Sequence, residues 1–164
     1  MNLQNKKNIR YATLKDIPII IDLRILYFKE AYTTLSLEKE KELRKVLKLY
    51  FEEHLNNDCF VALLGNEGKY YSCAIINVFK KAPNGRNITG DFAEIYGVYT
   101  VKESRKRGFA SEIIKFLLDS FRGTNLAFIT LEASKEGESV YRRCGFVEDG
   151  FDYIHLQYTY RDKE

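Results

Sequence analysis

The sequence predicts an α/β protein with a mixed, mostly antiparallel central sheet of about six to seven strands, flanked by about four helices. Three observations carry this. Two segments in the first third have apolar residues at helical spacing. The middle third is rich in β-formers broken by turn residues. The last third alternates strand, helix, strand and helix patterns, which asks for at least one right-handed β-α-β crossover. The expected order is β-α-α-β-β-β-α-β-α-β. At 164 residues the chain is read as a single domain, 1–164, with a core over about 8–160.

"NIRYAT" (8–13) is a short first strand. Thr13 then offers an N-cap, with Asp16 three residues on and Pro18 in the first turn. Ile17, Ile20, Ile21, Arg24 and Phe28 follow at helical spacing, so helix one should run to about Tyr32. "SLEKEKELRKVLKLYFEEHL" (36–55) is a second helix, with Leu43, Val46, Leu47, Tyr50 and Phe51 as its apolar face. Its Lys and Glu residues recur at i,i+4 and mark a solvated surface.

"DCFVALLG" (58–65), the turn "GNEG" (65–68) and "KYYSCAIINVF" (69–79) read as an antiparallel hairpin. "APNGRNITG" (82–90) is a loop. "DFAEIYGVYTV" (91–101) is a strand in which Gly97 hints at a bulge or a close backbone approach. After Gly108 comes a helix with Ala110, Ile113, Ile114, Leu117 and Leu118 on its apolar face. "LAFITLEA" (126–133) is a strand, and "EGESVYRRC" (136–144) a short helix stopped by Gly145. "FDYIHLQYTY" (151–160) is a final strand.

Composition excludes several classes. Hydrophobic residues are 45% and charged residues 30%, and the net charge is only +3, too low for a domain that grips nucleic acid by charge alone. No nucleic-acid partner is expected. No apolar run approaches the roughly 20 residues of a membrane helix, and "MNLQNKKNIR" has no apolar leader core. Cys59, Cys73 and Cys144 lack metal-type spacing. The expectation is a cytoplasmic protein without membrane contact or metal.

"KESRKRGFAS" (102–111) is the stretch with most chemical content. A strand ending in a basic, Gly-containing turn that opens a helix is built for phosphate. The helix N-terminus leaves backbone N–H groups unpaired, Gly108 admits close approach, and Arg105, Lys106 and Arg107 add charge. A helix that simply starts on a solvated basic loop would look the same. Neither G-x-x-x-x-G-K-[ST] nor G-x-G-x-x-G is present.

Arg105-x-x-Gly108-x-Ala110 after a strand carrying "VYTV" resembles the acetyl-coenzyme A signature of the GNAT superfamily of N-acetyltransferases, Q/R-x-x-G-x-G/A. "LEASKEGESVYRRCGF" (131–146) resembles that family's strand–helix unit ending in Y-x-x-x-G-F, and the element order matches over nearly the whole chain. The resemblance departs in two places: Lys102 stands where proline is frequent, and Ser134 where asparagine is frequent.

What the resemblance implies is acetyl transfer from acetyl-coenzyme A, as co-substrate, to a primary amine by direct attack in a ternary complex. The coenzyme would be held by Tyr99, Thr100, Val101, Arg105, Lys106, Arg107, Gly108, Phe109, Ala110, Ser111, Ser134 and Tyr141. The amides near Tyr99 to Val101 would face the pantetheine arm and acetyl carbonyl. Tyr141 would be the general acid for the leaving thiolate, although a core aromatic reads the same in a chain with 12 tyrosines. Glu94, eleven residues before Arg105, is a candidate base, with an exposed strand glutamate as the plain alternative and Asp91 or a water relay through Tyr96 as competitors. Cys144 is read as helix packing rather than as a nucleophile, and His54 and His155 as isolated. In the family the first two helices build most of the acceptor site. Tyr27, Phe28 and Tyr32 could line it here or merely pack helix one. The amine stays unnamed: a small amine, an amino acid, an aminoglycoside-like compound or a protein amine. A homodimer, common in the superfamily, stays open. The competing function is a non-catalytic acyl-coenzyme A binding or sensor domain.

Overall fold

The computed structural model describes residues 8–31, 35–66, 68–150 and 156–159. β1 (Asn8–Tyr11) leads through a 3-10 turn (Leu14–Asp16) into α1 (Ile17–Ala31), which is followed by α2 (Leu37–His54). β2 (Cys59–Asn66), β3 (Lys69–Lys80) and β4 (Asp91–Thr100) come next. A 3-10 turn (Lys102–Ser104), α3 (Phe109–Ser120), β5 (Ile129–Leu131) and α4 (Glu138–Arg143) complete the order. The strands form one sheet in sequence order, β1-β2-β3-β4-β5. β1 to β4 pair antiparallel; β5 pairs parallel to β4 through the α3 crossover.

The mixed, mostly antiparallel architecture is as the sequence predicts, but the strand count is lower. Five strands stand among the described residues rather than six to seven. The expected last strand (151–160) falls largely outside them, and residues 156–159 are not in a strand. Of the predicted 126–133 strand, residues 129–131 form β5; the Ala127 N–H and Phe128 carbonyl already bond Asp91 and Ala93 of β4, and pairing ends at Ile95–Leu131. The predicted end of helix one at Tyr32 also lies outside the described residues.

Both helix starts are capped. The Asp16 carboxylate accepts from the Thr13 N–H at 2.8 Å and from Arg10 at 2.7 and 2.8 Å. Ser36 Oγ accepts from the Lys39 N–H at 3.2 Å. The α2 stripe is narrower than its pattern predicts. Phe51 is buried and Leu43, Leu47 and Tyr50 pack on the core, while Val46 is 53% exposed on the solvent side.

The sheet carries a core on each face. Val61, Leu63, Cys73 and Ile75 pack against Ile17, Ile20, Ile21, Leu23 and Ile25 of α1 and Phe51 of α2. Ala62, Leu64, Ala74, Ile76, Ala93 and Ile95 point the other way, onto Phe109, Ile113, Ile114 and Leu117 of α3. Burial on both faces explains why β2 and β3 read as unbroken apolar runs rather than as alternating ones. On α3, Phe109 takes the buried position predicted for Ala110, which is only half-buried. Among the described residues no helix is long and apolar enough to cross a membrane.

Candidate active site

The site starts at a defect in β4. Cys73 of β3 pairs with Tyr99 and Ile75 with Tyr96, so Ala74 faces two residues, Gly97 and Val98. Gly97 has φ +59, the left-handed conformation that a bulge of this kind requires. The extra residue changes which side chains share a face. Tyr96 and Tyr99, three apart, both join the α1 side, while Val98 joins the α3 side. Without the bulge, alternation would put the two tyrosines on opposite faces.

The bulge lies just past the last β4–β5 pair, where β4 has lost its parallel neighbour. The Val101 N–H is spent on Tyr71 O at 2.9 Å, and the Tyr99 carbonyl accepts from Ser72 Oγ at 2.9 Å. Strand alternation turns the Thr100 backbone away from β3, and there its carbonyl accepts from Arg105 Nε at 2.9 Å. Of the three residues expected to face a pantetheine arm, Thr100 is thus the one whose peptide group faces the open edge.

Beyond β4 the chain makes a cradle. Lys106 (φ +61) and Gly108 (φ +82) are both left-handed within three residues, a backbone form that points successive N–H groups to one side. α3 begins at Phe109 with no side chain capping it. Its first turn, around Ala110 and Ser111, therefore presents N–H donors outside the helix's own bonding and the positive end of the helix dipole. A Cβ on Gly108 would meet only Glu112 Oε1, at 3.9 Å, so the space above this backbone is open. Lys106 and Arg107 are exposed and form no ion pair among the described residues. The Phe109 ring is buried against Tyr71.

Arg105 does something else. Its guanidinium donates to Glu30 Oε2 at 2.5 Å, and the Tyr99 hydroxyl donates to Glu30 Oε1 at 2.6 Å. Burial works against the Glu30 carboxylate, but the hydrogen bonds from Arg105 and Tyr99 outweigh it and hold its pKa below the usual value. Arg105 thus fastens the cradle to α1. Glu30 escaped the sequence reading because it sits 75 residues away in an ordinary helix tail.

α4 closes the other side. It packs on α3, with Cys144 Sγ 3.9 Å from Ser111 O, which fits the packing role predicted for Cys144. Ser134 Oγ accepts from the Gly137 N–H at 3.1 Å and Ser134 O from Glu138 N–H at 2.9 Å, so Ser134 turns the chain into α4. Tyr141 packs edge-on against Phe146, and among the described residues its hydroxyl makes no hydrogen bond. Burial, helped by the neighbouring Tyr27 and Cys144, raises its pKa, so the phenol keeps its proton at neutral pH.

Of the proton acceptors considered, Asp91 is tied to Lys80 at 3.2 Å. Tyr96 donates to Asn77 Oδ1 at 3.2 Å, and burial drives its pKa far up, which keeps it protonated. Glu94 lies across from Asn77 on the α1 face, half-buried, without an ion pair among the described residues. His54 is not isolated: its Nδ1 lies 2.9 Å from Asp58 Oδ1 and its ring packs tilted against Tyr50, 4.6 Å between centroids. His155 and Tyr32 lie outside the described residues. Among those residues no cluster of three His, Cys, Asp or Glu side chains could hold a metal ion.

Comparison with known proteins speaks to the fold and the family. A predicted acetyltransferase from Clostridium acetobutylicum, solved with acetyl-CoA, is 27% identical, with a TM-score of 0.77 over 92% of this chain and 96% of its own. A GCN5-related N-acetyltransferase from Ralstonia eutropha is 18% identical, with a TM-score of 0.73 over 92% and 98%. An aminoglycoside acetyltransferase from an uncultured soil metagenomic sample, solved with sisomicin, is 16% identical, with a TM-score of 0.69 over 98% and 100%; likenesses this distant speak to the fold. No curated protein sequence matches. Residues 19–146, from α1 through the end of the Y-x-x-x-G-F block, match the model of the acetyltransferase (GNAT) family, and the chain belongs to that family.

Proposed function

We propose that the protein moves an acetyl group from acetyl-coenzyme A to a primary amine, the amine attacking directly while both substrates are bound. The observation that carries this is the uncapped start of α3 behind the left-handed Lys106 and Gly108, packed beside a protonated, unengaged Tyr141. The residues fit the group. The amides of Ala110 and Ser111, with Lys106 and Arg107, suit a pyrophosphate, and the Thr100 N–H, turned away from β3, suits an amide-bearing arm. Bound acetyl-coenzyme A supplies an activated acyl carbon.

Each remaining task falls to the chain. A lysine-type ammonium, with a pKa near ~10.4 in water, must lose a proton before it can attack. Glu94, directly or through water, is the acceptor left free for it. The neutral amine nitrogen then forms the C–N bond as the C–S bond breaks, and the second proton it must lose to become an amide passes to solvent. Tyr141 gives its proton to the leaving sulfur and recovers one from solvent. The free thiols of Cys59, Cys73 and Cys144 suit a reducing, cytoplasmic setting.

The test is thiol release from acetyl-coenzyme A across an amine panel, with the acetylated product identified by mass. Turnover with at least one amine class, reduced in Tyr141→Phe, is expected. Tight coenzyme binding without acetylation of any amine would establish the sensor reading instead.

A further inference from the structure

Arg24 occupies a position on the apolar stripe of α1, among Ile17, Ile20, Ile21 and Phe28. Its guanidinium lies over three rings, 4.5 Å from the centroid of Phe28, 5.3 Å from Tyr27 and 5.8 Å from Tyr96. It also lies on the β4 bulge. A Cβ on Gly97 would come 2.4 Å from Arg24 Nη1, so only glycine leaves room for the cation there. Nε and Nη1 are enclosed by protein and have no hydrogen-bond partner. Nη2 is not among the enclosed atoms.

An enclosed cation normally has an anion beside it, because aromatic faces replace only part of the lost hydration. None is at hand. Asp22, two residues back, is held by Arg44 at 2.7 Å, and Glu30 is shared by Arg105 and Tyr99. Arg24 makes no ion pair among the described residues. Among the described residues, the one nearby carboxylate on this face without an ion pair is Glu94, two strand positions from Tyr96. One free cation and one free anion therefore share the α1 side of β4: Arg24 against the bulge at Gly97, and Glu94 opposite Thr130, one residue before the β4–β5 pairing ends.

We propose that Arg24 binds a carboxylate on the acceptor, so that the substrate is a zwitterionic, amino-acid-like amine: ammonium toward Glu94, carboxylate toward Arg24. This rests on the acetyltransferase reading above. A carboxylate fits better than a phosphate ester. The slot presents one guanidinium, with Glu94 on the same face, and a dianion would ask for more than one positive charge. Arg24 is a specificity residue here; no bond is made or broken at it.

The experiment compares kcat/KM for amino acids with that for their carboxamides, which keep the shape and lose the charge, and with phosphate-bearing amines. Wild type should prefer the acid by about 10- to 100-fold, the range of a charged hydrogen bond. In Arg24→Met this ratio should fall to near one, through KM for the acid. A purely structural arginine would instead lower the melting temperature and leave the ratio alone, whereas removing an unpaired enclosed cation should leave the melting temperature equal or higher. If Arg24→Met does not fold, Arg24→Lys decides: it keeps the charge, loses the planar fork, and should still reduce the ratio severalfold. Equal use of acid and carboxamide by wild type, an unchanged ratio in the folded variant, or a preference for phosphate-bearing amines would each overturn the proposal and leave the transferase intact. Acetylation of no amine would instead overturn the transferase reading itself.

Discussion

The Arg105 guanidinium donates to the Glu30 carboxylate at 2.5 Å, joining the loop ahead of α3 to the last turn of α1. The same carboxylate accepts from Tyr99, so one acidic side chain ties together the cradle, β4 and α1. Arg105 is 43% exposed, and its charge is worth little as stability. Its value is positional. Glu30→Ala should lower the melting temperature by only about 2–4 °C, the effect of about 1 kcal/mol in a chain of this size. It should raise KM for acetyl-coenzyme A by about three- to tenfold, because the cradle loses its anchor. Thermal melts and coenzyme titrations check this; an unchanged KM would make the anchor purely structural.

Tyr141→Phe removes a hydroxyl that holds nothing in place among the described residues. Its melting temperature should therefore match wild type within a degree or so. A general acid is worth about 100- to 10,000-fold, so kcat should fall at least about 100-fold while KM for the coenzyme stays within about threefold. A stability loss with unchanged kcat would identify Tyr141 as a core aromatic.

The split between what the sequence revealed and what it hid follows contact range. α3, its glycine cradle and the α4 tyrosine are local: periodicity and a positive-φ position are written into neighbouring residues. The Gly97 bulge was legible for the same reason. Glu30 was not, since nothing in a helix tail signals a partner 75 residues on. Arg24 was visible as the one charged residue on an apolar stripe, but its meaning needed the bulge it rests on. The Val101 amide was expected to face ligand and instead pairs with Tyr71, because only the register of β3 decides which edge a peptide faces.

The cradle makes a comparison of two neighbours informative. Gly108→Val puts a β-branched residue at φ +82, a strain of about 1–3 kcal/mol that this loop must relieve by moving its amides. Lys106→Ala removes one exposed charge and keeps the backbone. KM for acetyl-coenzyme A should rise about tenfold or more in the first and at most about threefold in the second. The reverse ranking would mean that side-chain charge, not the backbone, holds the pyrophosphate.

Asp16 gives a pH signature at the opposite end of α1. Hydrogen bonds from Arg10 dominate and, with the Thr13 N–H, outweigh burial to hold its pKa well below the usual carboxylate range. A pKa lowered by folding contributes stability that is fully present above the unfolded value of about 4 and is lost as pH falls through the folded value. Asp16→Asn should thus melt about 2–4 °C below wild type at pH 7, a charged hydrogen bond discounted for the exposure of Arg10. The gap should begin to narrow as pH falls below about 4 and close only well below that, as pH passes the lowered folded value. A constant gap across that range would assign the effect to helix capping instead.

Gly97 and Arg24 should be energetically coupled. Gly97→Ala meets two costs: φ +59, worth about 1–2 kcal/mol for an L-residue, and a Cβ placed 2.4 Å from Arg24 Nη1. The backbone cost is independent of Arg24. The second vanishes if the guanidinium is gone, since a methionine at position 24 can turn its flexible end aside. Gly97→Ala should therefore destabilise wild type by about 2–3 kcal/mol and the Arg24→Met background by about 1 kcal/mol less, a coupling within the usual range for residues in contact. Denaturant unfolding of the four proteins in the cycle measures it. Equal costs in both backgrounds would mean that the guanidinium moves away freely, and a cation that loosely held could not set the acceptor's charge.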